Sequence, residues 1–267
     1  MQPSTAHRVV LKVDTLDQEN RRLSQVALRE PVFLNSIPKS GSHLLRNIIR
    51  MFVPVGQQYQ RQFIQHSILA EHSHVFSASL PMLSWGHLAF TDASAVELTN
   101  VRHILLVRDP YSRVIARARF FVSEEFQGNL ELLKEGKLSA EELMNLMIFG
   151  VYQKAPSLAE IYNHNAVAWL GTPITLVRYE DIIRHLRQLE GEEAEAFFGG
   201  ILDACGIDPP EDWRDRVRIG SDPAQSGTAR ENLRTSGALE FPKELPEMQR
   251  RLVDYAVPGL RALLGYD

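Results

Sequence analysis

A lysine, two hydroxyls and a glycine stand together in Pro38-Lys39-Ser40-Gly41-Ser42, between the apolar run VFLNSI (32–37) and a stretch with helical periodicity. A turn from strand into helix leaves the first helical N–H groups without partners, pointing toward whatever approaches the turn. Gly41 would let that backbone come close to a ligand, Lys39 adds a positive charge, and the serines add hydroxyl donors. The combination suits an oxyanion of the phosphate or sulfate kind. Its plain alternative is a tight turn with a solvated lysine. The string is not the triphosphate loop G-x-x-x-x-G-K-[ST], because Lys39 precedes the glycine.

Chemistry on a bound anion also calls for a group that takes a proton, and histidine does so near neutral pH. Nine histidines compete. His87, in SWGHLAF, follows a short apolar run and a glycine, and is read as the base in an exposed turn; the alternative is a loop histidine bonded to backbone. His43 lies inside the loop, on the side of the bound anion. His66, His72 and His74 fall in a polar stretch where solvated rings are the default. His103 opens a buried strand and reads as structural, and His164 belongs to a helix covering the core. His7 and His185 have no distinguishing context.

The elements that must position these residues follow from periodicity. Strands are expected at VFLNSI (32–37), HVFSASL (74–80), MLSWGHLAF (82–90), VRHILLVRD (101–109) and PITLVRYED (173–181). Residues 42–53 set Leu44, Leu45, Ile48, Ile49 and Phe52 on one helical face, with Arg46 and Arg50 away from it. Asp109-Pro110 suits a helix N-cap and first position. A helical region spans 110–170, broken near Gly128, Gly136 and Pro156. Residues 208–243, rich in Pro, Gly and Ser, read as a long functional loop, and the chain closes helically. Buried strands alternating with helices imply an α/β fold, a central parallel sheet flanked by helices on both faces. Ligands of such sheets lie beyond the carboxyl ends of the strands. Pro38–Ser42, Arg108 and Tyr179 should therefore share one edge. Residues 1–30 form a polar, loosely attached lead-in, and 31–267 a single domain.

The whole chain, 267 residues with 44% hydrophobic and 23% charged, is ordinary for a globular protein. Its net charge of −4 gives no basic field for nucleic acid. No apolar run reaches the ~20 residues of a membrane span, and MQPSTAHRVVLKVDTLDQENRR lacks the core of a signal peptide. The cytoplasm is the simplest compartment. A single cysteine, Cys205, allows no internal disulfide. EGEEAEAFF reads as a solvated helix face rather than a metal site. The amphipathic ELLKEGKLSAEELMNLMIF packs in the core or forms a lid. Phe63, Phe90, Phe120 and Phe121 belong to the core or to an apolar acceptor pocket.

Three segments in order carry a resemblance. PKSGSHLL resembles the 5′-phosphosulfate loop of the sulfotransferase family, LLVRDPYSRVIARARFF resembles its 3′-phosphate segment, and LVRYED (176–181) matches a third recurring element. The closing LLGYD is also of the family's kind, so the likeness spans roughly 31–267. It implies a P-loop-like sulfotransferase fold and 3′-phosphoadenosine 5′-phosphosulfate (PAPS) as donor, with no metal. The acceptor would be a hydroxyl or amine of a small molecule, lipid or glycan. By position, Lys39 and His87 would be catalytic, and Lys39, Ser40, Gly41, Ser42 and His43 would surround the 5′-phosphosulfate. Arg108 would grip the 3′-phosphate and Tyr179 would lie near the adenine. The sequence departs from the family where a serine becomes Ala116, which leaves Arg113, Arg117 or Arg119 to compensate. Leu44 replaces an adenine-stacking tryptophan and Trp85 a lysine near the histidine. In place of the C-terminal R-K-G element, SGTARENLRTSG (226–237) offers Arg230 and Arg234. Two other readings stay open: an ATP-dependent kinase, and a non-catalytic nucleotide-binding protein of the same fold.

Overall fold

The computed structural model describes residues 13–123, 126, 130–227 and 239–266. Its strands are β1 (Val32–Ser36), β2 (Ile64–Gln65), β3 (Leu83–His87), β4 (Arg102–Val107) and β5 (Ile174–Arg178). They form one sheet in the order β2-β3-β1-β4-β5, every neighbouring pair parallel. The helices before the centre of the chain are α1 (Leu16–Asn20), α2 (Ser42–Arg50), α3 (Leu69–His72), α4 (Asp92–Glu97) and α5 (Pro110–Phe121). Beyond them come α6 (Ala140–Phe149), α7 (Leu158–Asn165), α8 (Tyr179–Arg187), α9 (Glu192–Ala204), α10 (Trp213–Ser221), α11 (Glu247–Ala256) and α12 (Leu260–Leu263).

Alternation along the strands sorts their side chains into two cores. Phe33, Leu105 and Val107 join residues of α5, α6, α7, α11 and α12. Val32, Leu34, Ile104 and Leu106 join α2, α8, α9 and α10. The sheet is thus covered on both faces, as the apolar strand sequences require. Cys205 lies in the second core, where burial pushes its thiol up to about 12. At the middle of the sheet β1 has β3 on one side and β4 on the other. That reversal of direction opens the crevice in which open α/β sheets bind ligands.

Local chemistry explains the helix starts. Asp109 accepts a hydrogen bond from the Tyr111 N–H at 2.9 Å, with Pro110 at the first helical position of α5. Ser139 with Glu142, and Ser157 with Glu160, form capping boxes that start α6 and α7.

Several expectations are corrected. Residues 74–80 form no strand: Ser73–Phe76 is a 3₁₀ turn that drops the adjacent Val75 and Phe76 into the core, and Leu80 is exposed. The edge position is taken instead by Ile64–Gln65, paired with Gly86 and His87. Gly86 lies within β3 rather than in an exposed turn, because a Cβ there would meet the Ile64 carbonyl oxygen at 2.0 Å. Residues 208–243 are not all loop: α10 packs on α2, with Gly220 close against Asn47 and Ile48, and buries Trp213 and Val217. Arg46 and Arg50 do not face solvent. Arg50, 3% exposed, pairs with Asp14 at 2.6 Å and with Asp17. Leu16 and Leu28 are buried too, so the described part of the polar lead-in is anchored to the body.

His103 of β4 is wedged between Phe33 and Trp169, with ring centroids at 5.9 and 4.7 Å, and its Nε2 has no partner. Burial pushes its imidazole down to about 3. The unfolded chain therefore binds a proton that the folded chain refuses, and stability is lost as pH falls from about 6.5 toward 3. His103→Phe should make that acid loss shallower by about 1.4 kcal/mol per pH unit. Urea unfolding between pH 4 and 7 measures it, and identical slopes for the two proteins would contradict the assignment.

Candidate active site

At the carboxyl end of β1 the chain turns through Pro38–Gly41 into α2. Lys39 and Gly41 both hold left-handed backbone, with φ of 70° and 89°. Such a conformation is uncommon for lysine and points to a turn shaped by its surroundings. Gly41 occupies the N-cap of α2, and no side chain caps the helix. The first turn of α2 holds no acidic residue. Its N–H groups thus form a positive, open helix end. Ser40 is fully buried and its hydroxyl has no hydrogen-bond partner. The Tyr179 ring, at the start of α8, is seated on Gly41: a Cβ there would lie 2.4 Å from Tyr179 Cδ2.

The end of β4 adds positive charge. Arg108 donates to the Ser112 hydroxyl at 2.9 Å and to the Lys39 carbonyl at 3.3 Å, and lies 4.5 Å over the Tyr179 ring. Arg113 lies beneath the turn, fully buried, donating from Nε to the Pro38 carbonyl at 2.9 Å. Its two terminal nitrogens have no partner, and burial lowers its pKa. Lys39 Nζ stands 3.6 Å from the Phe120 ring centroid. Two carboxylates near Arg108 have other partners. Asp109 caps α5 and pairs with Arg261 at 3.2 Å. Glu180 accepts from the Asp109 N–H, the Ser112 hydroxyl at 2.9 Å and the Tyr266 hydroxyl at 2.9 Å.

His87 is the last residue of β3, the strand beside β1. Its Nδ1–H donates to the Ser36 carbonyl at 2.6 Å, which leaves Nε2 as the ring's lone-pair nitrogen. Phe63 packs on the ring at 4.3 Å. Burial, followed by the nearby His43, Lys39 and Arg113, pushes the imidazole down to about 3, against the opposing pull of the Ser36 carbonyl. The ring is neutral at pH 7.

The expected site residues are thus mostly brought to one edge: Lys39, Ser40, Gly41, Ser42, Arg108, Tyr179 and His87. The His43 side chain turns aside onto Trp85, with ring centroids 5.0 Å apart, so toward the turn it offers its backbone N–H. Arg113 lies under the turn instead of on its open side. Arg117 donates to the Pro156 carbonyl at 2.9 Å and Arg119 to that of Pro242 at 3.1 Å, so both are committed to chain carbonyls. Arg230 and Arg234 lie outside the described residues. Of the four phenylalanines, Phe63 and Phe120 touch the site, while Phe90 packs on Trp169 and Phe121 is buried in the core. Sequence reasoning missed Ser36, Ser112 and Glu180. Ser112 alone carried a signal, as a hydroxyl in the first turn of the helix that follows Arg108.

No protein-family model and no curated protein matches the chain in sequence. Solved structures do match in shape. The crystal structure of mouse sulfotransferase SULT7A1 complexed with PAP is 15% identical, with a TM-score of 0.56 over 92% of this chain and 87% of that one. Retinol dehydratase in complex with androsterone and inactive cofactor PAP is 13% identical, with a TM-score of 0.52 over 89% and 81%. The chain has the sulfotransferase fold. The parallel sheet flanked by helices and the fold expected from the three segments are both borne out. Among the described residues no helix is long and apolar enough to cross a membrane.

Gly41→Ala should cost about 1–2 kcal/mol from the left-handed backbone alone, with a further loss from the clash with Tyr179. Tyr179→Ala in the same background should recover the clash but not the backbone share. Denaturant unfolding of the single and double variants measures both. Equal losses in the two would show that the ring does not rest on the glycine.

Proposed function

We propose that the protein is a PAPS-dependent sulfotransferase, moving a sulfuryl group from 3′-phosphoadenosine 5′-phosphosulfate to a hydroxyl or amine of a small-molecule, lipid or glycan acceptor. The observation that carries the reading is a neutral histidine with a free Nε2 on the strand adjoining an uncapped, positively charged helix start. The residues present suit the donor. The buried, unpartnered Ser40 hydroxyl, the N–H groups of Ser42 and His43, and Lys39 would receive the 5′-phosphosulfate. Arg108, which pairs with no carboxylate among the described residues, would receive the 3′-phosphate, and Tyr179 would stand against the adenine. Ser112 accepts from Arg108 and gives its own proton to Glu180, so it holds Arg108 in place and does not replace the hydroxyl lost at Ala116.

The donor supplies an activated sulfuryl group. His87 Nε2 accepts the acceptor's proton as the new S–O or S–N bond forms. As the S–O bond to the donor breaks, negative charge collects on the departing phosphate, which the Lys39 ammonium and the α2 N–H groups would stabilise. Phe63 packs on the His87 ring and Phe120 lies under Lys39, so apolar rings adjoin both groups.

His87→Ala should leave binding of adenosine 3′,5′-bisphosphate (PAP) near normal and reduce transfer by about 10²-fold or more. Lys39→Ala should lower turnover at saturating donor. Titration calorimetry together with transfer of labelled sulfate separates the readings. PAP binding without transfer to any acceptor would favour a nucleotide-binding protein, and a preference for ATP would favour a kinase.

A base must be deprotonated to act, and His87 loses its proton well below neutrality. The kcat/KM profile, which reports the free enzyme, should therefore stay flat from pH 7 down to about pH 5. The kcat profile should begin to fall at higher pH, because the negative charge of bound donor favours the protonated ring. A fall in kcat/KM centred near pH 6.5 would assign the base elsewhere.

A further inference from the structure

Ser36, the last residue of β1, lies between the helix start and the base and touches both. Its carbonyl accepts the His87 Nδ1–H at 2.6 Å. Its hydroxyl lies 2.6 Å from the Ser42 hydroxyl, 3.0 Å from His87 Nδ1 and 3.2 Å from the Gly86 carbonyl. The residue is 2% exposed, so water does not supply these partners. We infer that Ser36 is a positioning residue that couples occupancy of the anion cradle to the base. The inference rests on the proposed function, since it takes the cradle as the donor seat and His87 as the base.

Counting protons gives the coupling its direction. Each serine hydroxyl has one proton to give. In one arrangement Ser42 donates to Ser36, and Ser36 donates to the Gly86 carbonyl. In the other Ser36 donates to Ser42, whose proton is then free to point out of the turn. A phosphate oxygen in the cradle only accepts, so it favours the second arrangement. There the Ser36 oxygen no longer receives a proton from Ser42, and its lone pairs are left to the ring N–H. A better-held Nδ1–H makes Nε2 the stronger proton acceptor. The base thus gains strength when the donor seat is filled.

Other groups face the ring and act regardless of this chain of hydroxyls. Lys39 from the turn, His43 from α2 and Arg113 from α5 all oppose protonation, and Phe63 covers one side. Their influence persists when Ser36 is changed, so a variant can isolate the relay. Ser36→Ala removes the hydroxyl and keeps the carbonyl that fixes the tautomer.

The test is nitrogen NMR of ¹⁵N-histidine-labelled protein, with the His87 signals assigned by their loss in His87→Gln, titrated with and without PAP. In wild type, His87 should hold its proton on Nδ1, and PAP should raise its pKa. In Ser36→Ala the tautomer should persist while the PAP-induced rise shrinks to the share that the charge of PAP alone supplies. There kcat should drop about tenfold with little change in KM. Ser42→Ala cuts the same chain at its exposed end and should reduce the response likewise, which provides the reading if the buried variant does not fold. A response to PAP of wild-type size in either folded variant would overturn the coupling and leave the proposed function standing. Wild type that binds no PAP would overturn both.

Discussion

A guanidinium enclosed by protein with no carboxylate paired to it is costly, and among the described residues the fold leaves Arg113 in that condition directly beneath the Pro38–Gly41 turn. Its single hydrogen bond, to the Pro38 carbonyl, fixes the underside of the turn. Its unneutralised charge adds to that of the α2 end and of Lys39 above it. Positive charge is thereby gathered at one edge of the sheet. Much of the remaining geometry at this edge of the sheet follows from keeping it that way.

The acidic residues nearby serve that end. Asp109 and Glu180 immediately follow or adjoin the arginine-bearing strand ends, close enough to neutralise Arg108 if left unengaged. Asp109 is occupied by the start of α5 and by Arg261. Glu180 is occupied by a backbone N–H, Ser112 and Tyr266. Residues 254 and 261, far along the chain, thus bear on the site: Asp254 holds Tyr111 at 2.7 Å and Arg261 holds Asp109. The closing helices do more than cover the core. They hold Tyr111 and Asp109 at the start of α5.

Much of this could be read from the sequence because the signals were local. The turn, the strand-forming runs at 101–109 and 173–181 and the Asp-Pro helix start are each decided within a few residues. The errors arise where distant partners decide. WRDRVRIGS looks like loop because Arg216 interrupts its apolar spacing, yet Arg216 is 2% exposed, held by Asp212 and the Ser24 and Met51 carbonyls. Arg46 and Arg50 read as solvent-facing because the partners that enclose them, Asp14, Asp17 and Trp85, come from the lead-in and from β3. Two residues of β2 are too few to show any alternation. Ser36 was hidden because its role comes from the register that sets β1 against β3, and no spacing within one segment encodes a contact between strands.

Cys205 lies at the end of α9, in the core on the α2 side of the sheet, with its thiolate strongly disfavoured. Reagents that attack sulfur need the thiolate and a clear approach, and the native fold denies both. Each alkylation event would therefore record an excursion in which that helical layer parts from the strands. With one sulfhydryl in the whole sequence, the kinetics of its capture would form a clock for such breathing, and slower capture when the opposite edge is occupied would reveal whether the two regions loosen together.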